Sequence, residues 1–228
     1  MTHAERSFLQ GVLAHAPALC AFTLPTAFSY ARVADGIWSG GTYASWGTEQ
    51  REALVRLTGA EGQHHFEVRF VDGTASPYLV LASVLGVGTQ AVVKERLLES
   101  GDCVTPVALM GEEEKARLGV QNAERLPSTL DQARKNLAGD KDLREVFGED
   151  FVEKYIGVNA VRVRTVFLVL SADALIASGE HAHCGHRGRD GHEASQLLLI
   201  SLGNCAHYGL LWAHCILDGN GRIQVTAF

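Results

Sequence analysis

The segment 65–97 constrains the fold most tightly, because its hydrophobic pattern changes from a period of two to a continuous apolar run across one turn. Apolar and polar residues alternate over 65–71, which predicts a half-buried β-strand. Asp72-Gly73 is typical of a turn, and Ser76-Pro77 is typical of the cap and first turn of a helix. We therefore predict a strand, a turn and a long apolar helix over 77–97.

Shorter patterns predict the elements on either side of this unit. They are an amphipathic helix from Ala4 to Cys20 closed by Pro17, an irregular stretch over 25–41, strands at about 42–47 and 53–58, and helices at 129–138 and 141–161. Strands followed by helices favour an α/β (α+β) fold with short antiparallel strands. Gly86-Val87-Gly88 lacks the Lys-Ser/Thr that follows a phosphate loop, so it predicts a bend or a packing contact in the long helix.

Charge and cysteine content argue against several classes of protein. The 228 residues include 20 basic and 26 acidic side chains, and the net charge of −6 argues against nucleic acid as a partner. Five dispersed cysteines, and an N-terminus without the basic head and apolar core of a secretory signal, predict a reduced, cytoplasmic protein. The apolar stretch 195–217 carries Asn204, His207 and His214, which are costly in lipid, so we predict no membrane span.

The composition changes after Arg164. Thirty-eight of the first 164 residues are charged, against 8 of the last 64. We therefore predict one domain over 1–164 and an unassigned tail, rich in His and Cys, over 165–228. The tail contains a group of side chains that suit zinc or copper: His181, His183, Cys184, His186 and His192. No Cys-x-x-Cys pair supports a metal site, so a poorly ordered or unrelated tail is the favoured interpretation.

Acidic and basic residues cluster around the predicted strand 65–71. Glu67 and Arg69 are expected on one face, about 6.6–7 Å apart, because strand side chains repeat every second residue. Arg51 and Arg56 frame the preceding strand, and Arg32 lies in the loop before it. One interpretation is a solvated or ion-paired surface. The other is a site where Glu67 binds a divalent cation and Arg69 holds a phosphate or carboxylate, and spacing alone leaves both open.

Three ordered segments carry a more specific signal. They read S-Y-A-R at 29–32, A-S-W-G-T-E-Q-R-E-A-L-V-R at 44–56 and F-E-V-R-F-V-D-G-T-A-S-P-Y-L at 66–79. Their order and spacing resemble the glutamine synthetase catalytic domain, whose versions read approximately N-S-Y-K-R, N-R-S-A-x-I-R and E-V-R-x-x-D-x-x-A-N-P-Y-L. The resemblance extends over about residues 6–163, and Trp38-Ser39-Gly40 is similar to the branch of nodulins and fungal amidohydrolase–synthetase fusion proteins.

The resemblance implies ATP-dependent ligation of ammonia to glutamate through γ-glutamyl phosphate, with Mg²⁺ or Mn²⁺ as cofactor and ATP as co-substrate. Carried over by motif, Glu67 would bind one divalent cation, and Arg69 would be the catalytic residue that steadies the carboxylate as it becomes an acyl phosphate. Arg32, Arg51 and Arg69 would bind glutamate. Arg51 and Arg56 would contact the nucleotide phosphates, and the family implies a homo-oligomer.

Two positions depart from the family pattern. Trp38 stands where typical synthetases carry a glutamate that helps to deprotonate ammonium, so the alternatives are a bulkier amine as acceptor or no turnover. His65 stands where many relatives carry an arginine near the nucleotide.

The resemblance also predicts an incomplete site. The family's other metal carboxylates, its metal-binding histidine and its small N-terminal domain precede the matched region, and Glu67 alone cannot hold the metal ions of the reaction. We therefore expect the isolated chain to be inactive. The alternative is a non-catalytic truncated pseudoenzyme or an assembly subunit.

Overall fold

Two helices open the chain in a computed structural model that describes residues 1–37, 40–60 and 63–161, together with the backbone of 213–217 and 223–227. They are α1 (His3–Ala14) and α2 (Ala16–Thr23), and a four-residue helix, α3 (Ala27–Tyr30), follows in the stretch predicted as irregular. The prediction of one helix closed by Pro17 is wrong. The helix breaks at His15, and Pro17 lies in the first turn of α2, where its missing N–H would have no helical acceptor.

Three short strands form one sheet in the order β1 (Trp46–Thr48), β2 (Val55–Thr58) and β3 (His65–Val68). β2 and β3 are antiparallel as predicted, whereas β1 and β2 are parallel, contrary to the prediction. A parallel return normally needs a long crossover. Because β1 has only three residues, the six residues of 49–54 suffice to bring the chain back to its start.

The long apolar segment forms one helix, α4 (Pro77–Val93), which starts where predicted and ends four residues earlier. The helix is not interrupted at Gly86 or Gly88, so of the two predicted alternatives, a bend or a packing contact, the packing contact is confirmed. A Cβ on Gly86 would lie 2.6 Å from Val146 Cγ1, and a Cβ on Gly88 would overlap the ring of Phe8. The glycines therefore let two neighbouring elements approach the helix backbone.

Short helices complete the described region. They are a 3₁₀ turn at Val107–Leu109, α5 (Glu112–Arg117), α6 (Leu130–Gly139), α7 (Lys141–Phe147) and α8 (149–161). The prediction of a helix at 129–138 is confirmed within one residue. The predicted helix 141–161 is divided at Gly148, whose φ of 83° lies in the left-handed region that glycine adopts readily and that ends α7.

One hydrophobic core joins the helices to the sheet. Phe22 is fully buried, and its ring centroid lies 4.9 Å from that of Phe147 and 4.7 Å from that of Tyr155. Trp46 and Val55 contribute the inward side chains of β1 and β2 to the same core. Helices packed on a small sheet confirm the predicted α/β class.

The C-terminal part is described only as two paired strands. β4 (Ala213–Leu217) and β5 (Ile223–Ala227) are antiparallel, with Ala213 opposite Ala227. The predicted boundary after Arg164 and the predicted ligand group from His181 to His192 lie outside the described residues. Within the described ranges, no helix combines the length and apolar character needed to cross a bilayer.

Candidate functional site

The pairing of β2 with β3 brings three of the predicted site residues together, Arg56, Glu67 and Arg69. Arg56 and Glu67 are direct partners in the antiparallel register, so their side chains share one face of the sheet. Arg69 follows one residue after the end of β3, and its backbone N donates to Leu54 O at 3.0 Å, which extends the pairing. Its side chain therefore lies on the same face as that of Glu67.

The Glu67 carboxylate is held between two guanidinium groups. Arg69 Nη1 donates to Glu67 Oε1 at 2.6 Å, and Arg56 Nη1 donates to Oε2 at 3.2 Å. The side chains of Glu67 and Arg69 are only 9% and 8% exposed. Burial lowers the pKa of Arg69, although the charge of Glu67 opposes this effect. The ion-paired interpretation of this cluster is therefore confirmed, whereas solvation of its central pair is not, because the side chains of Glu67 and Arg69 are buried.

Arg51 joins this cluster through its backbone. Arg69 Nε donates to Arg51 O at 2.8 Å, and Gly40 N donates to the same carbonyl oxygen at 3.1 Å. Gly40 has a φ of 76°, and a Cβ at this position would lie 3.0 Å from Arg69 O, so glycine suits the close approach. Arg51 itself is exposed.

Glu49 is a further charged member of this cluster, and sequence reasoning missed it. Its carboxylate accepts hydrogen bonds from Arg56 Nη2, from Thr58 Oγ1 at 2.5 Å and from Gly59 N at 3.4 Å. Hydrogen bonds from Thr58 and Arg56 lower the pKa of Glu49 to about 2. Its position within the second motif could have indicated a site residue. The tight turn that directs Glu49 to Arg56 was not predictable, because it requires a φ of 54° at Glu49.

Among the described residues, the other positions that the sequence indicated form no hydrogen bond or ion pair with the Glu67 carboxylate. Arg32 pairs with a different acid, its Nη2 lying 3.5 Å from Asp72 Oδ2, and its side chain is 54% exposed. His65 is half-buried and lies opposite Thr58 in the sheet. Trp38 lies outside the described residues.

The described residues do not complete a metal site. The Glu67 carboxylate is of the chemical type that hard cations prefer, but each of its oxygens already accepts a hydrogen bond from an arginine. In the part of the chain that the structure describes, no three His, Cys, Asp or Glu side chains are grouped so that they could hold a metal ion. Glu67 can therefore supply only part of a cation's ligand set among the described residues.

A family comparison agrees with the motifs that carry this cluster. The model of the glutamine synthetase catalytic domain matches residues 1–172. The chain belongs to the glutamine synthetase family. The predicted resemblance is thereby confirmed, and the match includes every predicted site residue.

Three relatives show which members of the glutamine synthetase family this chain is similar to. Protein fluG from Emericella nidulans is 41% identical over 152 residues, which are 67% of this chain and 17% of fluG. A glutamine synthetase from Thermococcus kodakarensis is 38% identical over 142 residues, 62% of this chain and 31% of the enzyme. Gamma-glutamylpolyamine synthetase GlnA3 from Streptomyces coelicolor is 35% identical over 163 residues, 69% of this chain and 34% of GlnA3. The similarity to fluG confirms the predicted fungal branch, and the chain spans about a third or less of these relatives.

Solved structures support the same fold. A crystal structure of a novel glutamine synthase homolog matches with a TM-score of 0.57 and 28% identity, covering 72% of this chain and 35% of the other. A GmaS/ADP complex also gives a TM-score of 0.57, with 24% identity over 75% of this chain and 37% of GmaS, and shows the fold alone. The family chain therefore keeps the glutamine synthetase catalytic fold over its described helices and three-stranded sheet.

Proposed function

We propose that this chain supplies the arginine-rich part of a glutamine synthetase-type site. The reaction of such a site is the ATP-dependent ligation of ammonia or another amine to glutamate through γ-glutamyl phosphate. The observation that carries the proposal is the Arg56–Glu67–Arg69 cluster, whose central pair is buried and whose members lie in segments that resemble the family's motifs and within the matched region. A buried cluster fixes guanidinium groups before a ligand arrives, which is what electrostatic stabilisation of a phosphoryl transfer requires.

Each arginine has a proposed role. Arg69 is the proposed catalytic residue, which stabilises the glutamate carboxylate as it becomes an acyl phosphate. Arg32, Arg51 and Arg69 bind glutamate, and Arg51 and Arg56 contact the nucleotide phosphates. The planar guanidinium suits all these roles, since it can donate two parallel hydrogen bonds to a carboxylate or phosphate.

Glu67 is the proposed single metal ligand of this part of the site, for Mg²⁺ or Mn²⁺ with ATP as co-substrate. Such a cation, when bound, neutralises phosphate charge. Glu67 stands in no group of three candidate donors among the described residues, so water, phosphate oxygens and residues elsewhere would complete the coordination.

The proposed acceptor is an amine larger than ammonia. Support comes from the relative named gamma-glutamylpolyamine synthetase, which is 35% identical over 69% of this chain. A tryptophan at position 38, which cannot accept a proton from ammonium, agrees with this choice. Comparing spermidine, methylamine and ammonia as acceptors, in a fusion of this chain with the portion of a relative that it does not span, tests the choice of acceptor. Preference for ammonia would contradict it.

The 228-residue chain alone is proposed to lack synthetase activity, because the described residues do not complete a metal site. Incubation of the purified chain with ATP, Mg²⁺, glutamate and each amine is expected to give no glutamate-dependent ADP release. Formation of a γ-glutamyl product by the chain alone would overturn this proposal.

Nucleotide binding tests the arginine assignment without requiring turnover. Calorimetric titration with ADP is expected to show weak binding that Arg56→Gln abolishes. Arg117→Gln is the matched control, because Arg117 is an exposed arginine on α5 that pairs only loosely with Glu114, at 3.9 Å. Equal ADP affinity in wild type and Arg56→Gln would remove Arg56 from the nucleotide site.

A second candidate function is a non-catalytic pseudoenzyme or assembly subunit. It is favoured by large apolar side chains on the surface: Tyr78, Val93, Leu97 and Leu109 are 73–82% exposed. Light scattering after size-exclusion chromatography distinguishes the candidates when combined with the ADP titration. A homo-oligomer that binds no ADP supports the assembly role, whereas ADP binding supports the synthetase-type site.

A further inference from the structure

The guanidinium of Arg56 lies between two carboxylates with unequal surroundings. Glu67 is 9% exposed and also bonds Arg69, so it is fixed in the sheet. Glu49 is 54% exposed and lies on the solvent side of Arg56. Of the two acids, Glu49 is the one that can move into water without leaving a buried charge unpaired.

The groups around the Glu49 carboxylate are those of an anion site. It accepts hydrogen bonds from a guanidinium nitrogen of Arg56, from the Thr58 hydroxyl at 2.5 Å and from the Gly59 backbone N at 3.4 Å. Guanidinium, hydroxyl and backbone N–H groups together are the donors that proteins use to bind phosphate. A carboxylate of the chain itself therefore takes the place where an external anion would be bound.

One donor in this site is not used by the carboxylate. Arg56 Nε is buried and has no hydrogen-bond partner among the described residues. Nε and Nη2 form one edge of a guanidinium, and Glu49 bonds only Nη2. A phosphate has enough oxygens to accept from both nitrogens of that edge as well as from Thr58, which would relieve the cost of an unsatisfied buried donor.

We propose that Glu49 is an internal stand-in for a phosphate group: it holds Arg56 and Thr58 in place until a phosphate of the ligand displaces it. The inference rests on the proposed function, because it concerns the phosphate-binding role of Arg56, and it adds Glu49, Thr58 and Gly59 to that site. Glu49 is a positioning residue that competes with the ligand. Removing its charge therefore raises the affinity for phosphate.

The test is a calorimetric titration of the full 228-residue chain with inorganic pyrophosphate at low ionic strength, where exposed charges are least screened. Glu49→Gln is expected to lower the Kd for pyrophosphate by about threefold or more relative to wild type, since an exposed ion pair competes only modestly. Adding Thr58→Val to Glu49→Gln is expected to reverse part of the gain. A purely structural role for Glu49 would instead weaken binding.

Glu112→Gln is the control for removal of one negative charge, because Glu112 is an exposed acid that pairs with Lys115 on α5. It is expected to leave the pyrophosphate affinity unchanged. An equal gain in Glu112→Gln would assign the effect to net charge and overturn the proposal.

Other outcomes separate the inference from the proposed function. If Glu49→Gln binds pyrophosphate no better than wild type while Arg56→Gln binds worse, the stand-in is refuted and the arginine site remains. If Arg56→Gln binds as wild type does, the phosphate role of Arg56 fails and the stand-in fails with it. Glu49→Ala serves as a second variant. Loss of the fold in both Glu49 variants would refute the proposal, because a group that phosphate displaces cannot be required for folding.

Discussion

Replacing Glu67 with glutamine gives the most direct measure of how strongly the cluster is built into the fold. The change keeps the shape of the side chain and removes the negative charge between Arg56 and Arg69. Breaking a buried ion pair by removing one partner costs about 3–5 kcal/mol, because the other charge stays buried. Arg69 Nε keeps its bond to Arg51 O, so we expect the lower end, about 3 kcal/mol.

The assay is urea unfolding followed by far-UV circular dichroism, with the free energy of unfolding obtained by linear extrapolation. The matched control is Glu49→Gln, which removes an exposed partner of the same Arg56 and is expected to cost less than about 1 kcal/mol. The double variant Glu67→Gln/Arg69→Gln should cost less than the sum of its single changes, because the unpaired buried charge is then gone.

A small effect would refute the reasoning. If Glu67→Gln costs no more than Glu49→Gln, the central ion pair is hydrated in solution. The buried cluster would then no longer distinguish this sheet face from an ordinary charged surface, and the proposed function would lose the observation that carries it.

Three further outcomes follow from individual contacts. Burial would lower the pKa of His15, but hydrogen bonds and charges from Asp140 and Asp142 raise it overall, so its stabilisation is fully present below about pH 6.5 and is lost as pH rises through the raised folded pKa. His15→Gln should flatten the dependence of Tm on pH above about 6.5, and an unchanged profile would contradict this assignment. Gly11→Ala places a Cβ 2.5 Å from Val87 O in α4 and should lower the free energy of unfolding in urea by about 1–3 kcal/mol. Gly139→Ala is the control, because nothing lies within 4 Å of its new Cβ. Equal costs for the two variants would refute the close helix contact. Hydrogen bonds lower the pKa of Glu49 to about 2, so its small contribution to stability is present above about pH 4.5 and is lost as the pH falls towards 2. If Glu49→Gln leaves acid unfolding unchanged over this range, this contribution is refuted.

Local chemistry explains which elements the sequence could predict. Ser76-Pro77 marks the start of α4 because Pro77 suits the first helical turn, although the Ser76 side chain at the N-cap makes no capping hydrogen bond. The break between α1 and α2 was not predictable in the same way. It places His15 where Nδ1 lies 2.7 Å from Oδ2 of Asp140, 125 residues later in the chain, and no local pattern encodes that contact. The role of Gly86 and Gly88 was not predictable from local sequence either, because glycine is favoured both at a helix bend and at a close packing contact.

The site was predictable where it depends on strand period and motif position. Alternation places Glu67 and Arg69 on one face, and the structure joins them at 2.6 Å. The opposition of Arg56 and Glu67 depends on strand register, which alternation alone does not determine. Glu49 was missed because its contact with Arg56 requires a six-residue parallel return, which the expectation of antiparallel strands excluded.

Charge balance links the sheet to the proposed order of events. The two arginines and two acids of the Glu49–Arg56–Glu67–Arg69 chain carry no formal net charge together, which allows such a cluster to be largely buried in a protein of net charge −6. A phosphate added to this set would place negative charge beside two carboxylates. The balance is restored most simply when the exposed Glu49 withdraws and the buried Glu67 stays. The same sheet face can therefore be stable alone and still receive an anion, because one of its acids is on the solvent side.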